Sequence, residues 1–87
     1  MQDLAVFLIE DVFKIPGRRV VVTGIVKKGE ISIGMWGDIN GIKVRVLDIE
    51  AFAKRLTVAK EGERVGLLLD GIKNEDIQAN QEIIFSK

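Results

Sequence analysis

The sequence contains no cysteine and no histidine. Without cysteine there is no disulfide, no thiolate nucleophile and no cysteine-based metal site. Without histidine the chain lacks the side chain that most often exchanges protons near neutral pH, and also the commonest metal ligand. We therefore expect a protein that is not an enzyme and that needs no metal ion and no cofactor.

Other reactive groups are also scarce. The hydroxyl side chains are Thr23, Ser32, Thr57 and Ser86, and no histidine is present to activate any of them. Pairs of carboxylates occur at 10–11, 48–50, 61–63 and 75–76, but none has the spacing of a calcium loop. Solvated turns and strand faces explain these acidic residues more simply than catalysis or metal binding.

The chain carries no net charge, because thirteen Lys and Arg balance thirteen Asp and Glu. This balance excludes the strongly basic profile of a non-specific nucleic-acid binder and the acidic profile of a solvating tail. The apolar run at 4–9 is too short to cross a membrane, and no basic segment precedes it as in a signal peptide. We expect a cytoplasmic protein that does not bind membranes.

Branched aliphatic residues dominate what is present. Twelve Ile and ten Val stand against five Ala and seven Leu, and such side chains favour strands over helices. Eighty-seven residues suffice for one domain, and no linker or internal repeat divides residues 1–87. Alternation and turn signals predict strands at 5–13, 19–26, 31–33, 42–50, 65–69 and 81–85.

The connections between these strands follow from turn residues. Asn40-Gly41 predicts a type I′ hairpin, since both residues tolerate a left-handed backbone. Residues 27–30 predict a second hairpin turn, and residues 61–63 a further turn. Asn74 is predicted to cap a single helical turn that ends at Ile77.

Three details refine this prediction. The apolar phase of the fourth strand changes near Val46-Leu47, which predicts a β-bulge, and Gly24 inside the second strand predicts a bend or a close backbone approach. The continuous apolar run at 65–69 predicts a fully buried strand. For 51–58 a helical turn and a continued strand followed by a loop are both open, and we favour the second. Six or seven short strands predict an all-β fold, a small closed antiparallel barrel.

Several segments in order closely resemble the second domain of elongation factor Tu and its relatives among the translational GTPases. The matching segments are 7–13 (FLIEDVF), 17–24 (GRRVVVTG), 29–34 (GEISIG), 41–43 (GIK), 49–52 (IEAF), 62–71 (GERVGLLLDG) and 76–85. The resemblance covers nearly the whole chain and implies the β-barrel of that domain. In the family, GTP binding belongs to a separate domain with a G-x-x-x-x-G-K-[ST] loop. This chain has no such loop, so we expect a stand-alone module that does not bind GTP.

The resemblance also implies a binding site. In elongation factor Tu this domain holds the 3′-terminal adenosine of aminoacyl-tRNA, and Glu50 and Arg18 match the glutamate and arginine at that pocket. Arg19 stands where the family has glycine, and it adds a cation there. The implied partner is RNA or a component of the translation machinery. The simpler alternative is that Glu50 is a solvated strand residue and Arg18 a turn charge. Two further departures are acidic: Asp48 and Asp70 replace a small residue and an arginine.

Met35-Trp36-Gly37 replaces two charged residues and an aliphatic residue of the family pattern. One interpretation is a local repacking in which Trp36 covers the gap left by Gly37. The other is an exposed Met35–Trp36 pair that binds a protein partner or a second copy of this chain, since both residue types are favoured in interface cores. The chain is thus predicted to be either an RNA-contacting module or a protein-interaction or self-associating module.

Overall fold

The computed structural model describes residues 4–17 and 19–86. In these ranges the chain forms nine strands and one short 3₁₀ turn. The strands are β1 (Leu4–Lys14), β2 (Arg19–Lys28), β3 (Glu30–Ser32), β4 (Trp36–Ile39), β5 (Ile42–Ala51), β6 (Lys54–Leu56), β7 (Val58–Lys60), β8 (Arg64–Asp70) and β9 (Glu82–Ser86), and the 3₁₀ turn is Asn74–Asp76. None of these elements is a helix long and apolar enough to cross a membrane.

The main sheet closes on itself. Its strand order is β4-β9-β1-β2-β8-β5-β6, and β4 also pairs with β5. Six antiparallel strands therefore form a closed barrel, which confirms the predicted fold class. Strand β6 lies outside the closed ring, as an extension of β5, while β3 and β7 form a separate two-stranded sheet.

Alternating residues of the barrel strands fill its interior. In β1 the side chains of Ala5, Phe7 and Ile9 are buried, whereas those between them are half-buried. The buried set is entirely apolar within the described residues. Each buried Val, Leu, Ile, Phe or Met side chain contributes about 1.5–3 kcal/mol, so apolar packing is the main source of stability for so small a domain.

Three local predictions are confirmed. Asn40 and Gly41 both have positive φ, 51° and 83°, and they connect β4 to β5. The pairing of β5 with β8 shifts register between Val46 and Asp48, so the bulge lies where the apolar phase changes. At Gly24 an added Cβ atom would clash with the carbonyl oxygen of Leu8, which makes this position a close backbone approach.

Three other predictions are wrong. Residues 27–30 do not form a hairpin, because β3 pairs with β7 instead of β2. Asn74 does not cap the 3₁₀ turn: Lys73 is the capping residue and makes no side-chain hydrogen bond. The strand at 65–69 is not fully buried, since Gly66 and Leu68 are half-buried on its outer face. A fourth prediction is wrong in part: segment 51–58 contains no helical turn, but short strands β6 and β7 occupy most of the region expected to be a loop.

Candidate nucleic-acid interface

A cleft of about 440 Å³ lies on the outer face of β2, β8 and β5. It is lined by Ile15, Val21, Thr23, Asp48, Glu50, Ala51, Phe52, Gly66 and Leu68. Strand register explains why these residues meet. Val21 lies opposite Leu68, and Leu68 lies opposite Asp48, so one row of outward side chains crosses all three strands. The cleft is therefore built on paired strands of the barrel wall.

The second row across the same strands contains Thr23, Gly66 and Glu50. Gly66 has no side chain, and an added Cβ would lie 3.8 Å from the Thr23 methyl carbon and 3.7 Å from the carbonyl oxygen of Glu50. The glycine thus leaves a depression between Thr23 and Glu50. With Val21 and Leu68 beside it, the cleft combines an apolar floor with a few polar groups, which is typical of small-ligand sites.

Glu50 lies on β5 at the wall of this cleft, and its side chain is exposed. The described residues form three ion pairs, and none of them includes Glu50. A carboxylate in this position can accept a hydrogen bond from an incoming donor. The structure therefore brings the predicted Glu50 to a cleft, whereas Arg18 lies outside the described residues.

The acidic departures from the family pattern have cationic partners. Asp48 accepts a hydrogen bond of 2.8 Å from Nε of Arg55 on the neighbouring strand β6. Asp70 lies 3.7 Å from Nε of Arg19, directly opposite it in the pairing of β2 with β8. Arg19 is thus directed to Asp70, one row away from the cleft. Both pairs are exposed and contribute about 0–1 kcal/mol each to stability, so their main effect is on local charge.

A second, shallower cleft of about 340 Å³ continues beyond Thr23 and Gly66. Glu10 and Arg64 stand at its far side, and Arg64 donates hydrogen bonds of 3.1–3.4 Å to the Glu10 carboxylate. This hydrogen bonding, which favours the ionised carboxylate, holds the pKa of Glu10 below its usual value and raises that of Arg64. The two clefts share the wall formed by Glu50, Ala51 and Phe52.

Phe52 is a residue that the sequence patterns did not mark as part of a site beyond its place in the IEAF segment. It lies in the turn between β5 and β6 with φ of 53°, and 96% of its surface is exposed. It also lines a third cleft of about 430 Å³, which extends along Lys54, Leu56 and Glu63. Phe52 is therefore the point at which three surface depressions meet.

The apolar floor was also missed, although the sequence carried a signal for it. A strand with one buried and one solvent-exposed face alternates apolar and polar residues. Val21 and Leu68 instead sit in continuous apolar runs, at 20–22 and 67–69, while both are only half-buried on the outer face. An excess of apolar side chains on an outward face indicates a surface site, whereas we interpreted the second run as complete burial.

The structure separates the predicted pair Met35 and Trp36. Met35 is 8% exposed, and its sulfur accepts a hydrogen bond from the Ser32 amide, so it is out of reach of a partner. Trp36 is 53% exposed, and the Arg45 guanidinium lies 5.4 Å from its ring centroid. Trp36 does not cover a gap at Gly37. The ring of Phe85 fills that space and would lie 2.7 Å from an added Cβ atom.

No group of three or more Asp or Glu side chains suited to a metal ion occurs in the ranges 4–17 and 19–86. The carboxylates of Glu10, Asp48 and Asp70 are instead joined to arginines. Three acidic residues of the described chain thus act as ion-pair partners on the barrel surface.

Comparison with solved structures shows that this barrel is similar in fold to a domain of a translation factor. No protein-family model matches the chain. The translation elongation factor SelB from Methanococcus maripaludis matches with a TM-score of 0.86 and 28% sequence identity, both in its apo form and in complex with the GTP analogue GPPNHP. The match covers 97% of this chain and 19% of the SelB chain. The chain thus has the fold of one β-barrel domain of a translational GTPase, the second-domain-like module that its sequence resembles.

Proposed function

We propose that this protein is a non-enzymatic binding module that holds the end of an RNA strand, similar to the 3′ end of tRNA, in the cleft on β2, β8 and β5. The observation that carries the proposal is the position of Glu50 beside the apolar floor of Val21 and Leu68. The similarity to SelB, a translation elongation factor, supports a role beside the translation machinery in the cytoplasm.

The chemistry of the cleft suits a purine base. Val21 and Leu68 offer an apolar surface to the base, while the Glu50 carboxylate accepts from an exocyclic amine such as that of adenine. One stacked base contributes about 1–3 kcal/mol, and a millimolar dissociation constant corresponds to about 4 kcal/mol. We therefore expect weak binding of an isolated nucleotide, and the module adds one contact to a larger assembly.

The composition supports binding without catalysis. The chain has no Cys or His, so its hydroxyl groups lack the usual activating base. It also has no G-x-x-x-x-G-K-[ST] segment to hold the phosphates of GTP. A module of this kind acts by binding a ligand and orienting it, and it needs no cofactor of its own.

The test is a titration of the labelled protein with a CCA trinucleotide, followed through backbone amide shifts. We expect shifts around Val21, Glu50 and Leu68, and at least a several-fold weaker affinity for Glu50→Ala, because the acceptor is lost. Glu82→Ala, an exposed glutamate on β9, is the matched control and keeps the wild-type affinity. The absence of shifts at millimolar RNA would refute the proposal.

A second candidate function is protein interaction or self-association through Trp36. On the outer face, Trp36 lies opposite Ser86 of β9, and Ile84 lies two residues further along that strand. Trp36 and Ile84 are 53% and 41% exposed, so an apolar surface spans two neighbouring strands. Sedimentation of the wild type and of Trp36→Ala tests this function. A concentration-dependent dimer that the substitution abolishes supports it, while monomers in both cases exclude self-association.

A further inference from the structure

The turn between β5 and β6 has a backbone that its residues do not favour. Phe52 and Ala53 both have positive φ, 53° and 60°, between the paired residues Ala51 and Lys54. For a residue with a side chain the left-handed region costs roughly 1–2 kcal/mol, and bulky residues adopt it rarely. Two-residue hairpins of this geometry normally use Asn and Gly. The residue choice here therefore works against the turn.

Packing gives no compensation for Phe52. Its side chain is 96% exposed, so the ring gains almost nothing from burial within the described chain. A strained backbone that carries an exposed aromatic side chain is typical of a functional position and not of a structural one.

Two cationic residues follow the Phe52-Ala53 turn on the same hairpin. Lys54 and Arg55 begin β6, and Lys54 makes none of the ion pairs found among the described residues. Arg55 is held by Asp48 at the edge of the cleft. An exposed aromatic ring beside a cation is the combination with which proteins bind single-stranded nucleic acid, since the ring stacks on a base and the cation meets a phosphate.

We propose that Phe52 is a stacking platform for a second nucleotide, adjacent to the one in the cleft, and that Lys54 contacts the phosphate that links the two nucleotides. The inference rests on the proposed function, because it assumes a nucleotide beside Glu50. Phe52 lines the wall of that cleft, so a base stacked on its outer face lies next to the base that the cleft holds. The site then takes two successive nucleotides of a single strand.

The test compares adenosine with the dinucleotide CpA by amide-shift titration of the full chain. Stacking of one more base contributes about 1–3 kcal/mol, which corresponds to about 5- to 140-fold tighter binding of CpA by the wild type. Phe52→Asn removes the ring and suits the turn. We expect this variant to lose most of the gain for CpA, so that the ratio of its CpA affinity to its adenosine affinity falls towards one.

Two controls isolate the ring and the charge. Trp36→Ala removes an exposed aromatic side chain that does not line the cleft, and it keeps the gain for CpA. For Lys54→Gln the plot of log affinity against log salt concentration becomes shallower, and the magnitude of its slope falls by about 0.7. This is the change expected for the loss of one phosphate contact on a single strand.

The possible failures are distinguishable. If adenosine binds in the cleft but CpA binds no better, the second-nucleotide site is refuted and the proposed function stands. If Phe52→Asn weakens adenosine and CpA by the same factor, Phe52 belongs to the first site and the inference is overturned. If the wild type binds neither ligand, the proposed function fails and this inference fails with it.

Discussion

Strand β5 begins and ends at a two-residue hairpin turn, and the two turns differ in how well their residues suit them. Asn40-Gly41 precedes β5 and Phe52-Ala53 follows it, and all four residues have positive φ. Asn and Gly adopt this backbone readily, whereas Phe and Ala do so at a cost. The first turn connects two strands of the closed barrel, and the second connects to β6 outside it. Suitable turn residues therefore occur where the fold depends on the turn, while the strained turn carries the exposed ring beside the cleft.

Exchanging the residues of the first turn is expected to have the largest effect. The double substitution Asn40→Phe with Gly41→Ala places the residues of the second turn in the β4–β5 hairpin. We expect a loss of about 2–3 kcal/mol in the free energy of unfolding, because two side chains are forced into the left-handed region. Urea unfolding measures this loss. A change below about 0.5 kcal/mol would show that the first turn is not the better suited one.

A substitution within β4 tests how tightly the first hairpin is built into the barrel. Gly37→Ala places a methyl group 2.7 Å from the ring of Phe85, which is fully buried. Overpacking of this kind costs about 1–3 kcal/mol, and we expect about 2. Ser32→Ala, at a half-buried position on the separate β3–β7 sheet, serves as a small-residue control. Thermal unfolding then shows a lower midpoint for Gly37→Ala than for the control.

The reverse exchange at the second turn is expected to stabilise the protein. Phe52→Asn with Ala53→Gly relieves two unfavourable φ values, and we expect a gain of about 1–2 kcal/mol. For a domain of this size that raises the midpoint of thermal unfolding by roughly 4–16 °C. The same variant is expected to lose the CpA preference described above. Greater stability without loss of CpA binding would show that the strained turn plays no part in nucleotide recognition.

The closed barrel could be predicted from the sequence because its signals are local. Alternation gave most of the strands, Asn40-Gly41 gave one hairpin, and the change of apolar phase gave the bulge near Val46. The pairing of β3 with β7 could not be predicted, since it joins residues almost thirty positions apart in the sequence. The polar and glycine residues at 27–30 are typical of a hairpin turn, whereas β2 in fact continues through Lys28.

The candidate site was predicted only in part. Glu50 was identified through its resemblance to a family motif, and the structure places it at a cleft. The ion pair of Arg19 with Asp70 could be predicted only with knowledge of the register between β2 and β8. These two departures from the family pattern look independent in the sequence, but they form one ion pair in the structure. Phe52 was missed because residue preferences exclude phenylalanine from a type I′ turn.

The smallest expected effect concerns charge on the side of the barrel that carries the strained turn. Arg64 lines two of the clefts beside Phe52 and holds the pKa of Glu10 below its usual value by hydrogen bonding. A carboxyl whose pKa is lower in the folded than in the unfolded protein stabilises the fold above its unfolded pKa. This contribution is lost as the pH falls through the folded pKa. Glu10→Gln should therefore be slightly less stable than the wild type at pH 7, and the difference should disappear in acid.

Urea unfolding of both proteins between neutral and acidic pH measures this difference. Glu82→Gln controls for the loss of an exposed glutamate that is not among the described ion pairs. We expect its stability to follow that of the wild type at every pH. A difference for Glu10→Gln that persists in acid would mean that the glutamine disturbs packing near Thr23, because a protonated Glu10 no longer pairs with Arg64. The stability of the region around Glu10 and Arg64 would then depend on how its side chains pack, as the stability of the β4–β5 hairpin depends on the backbone shape of Asn40-Gly41.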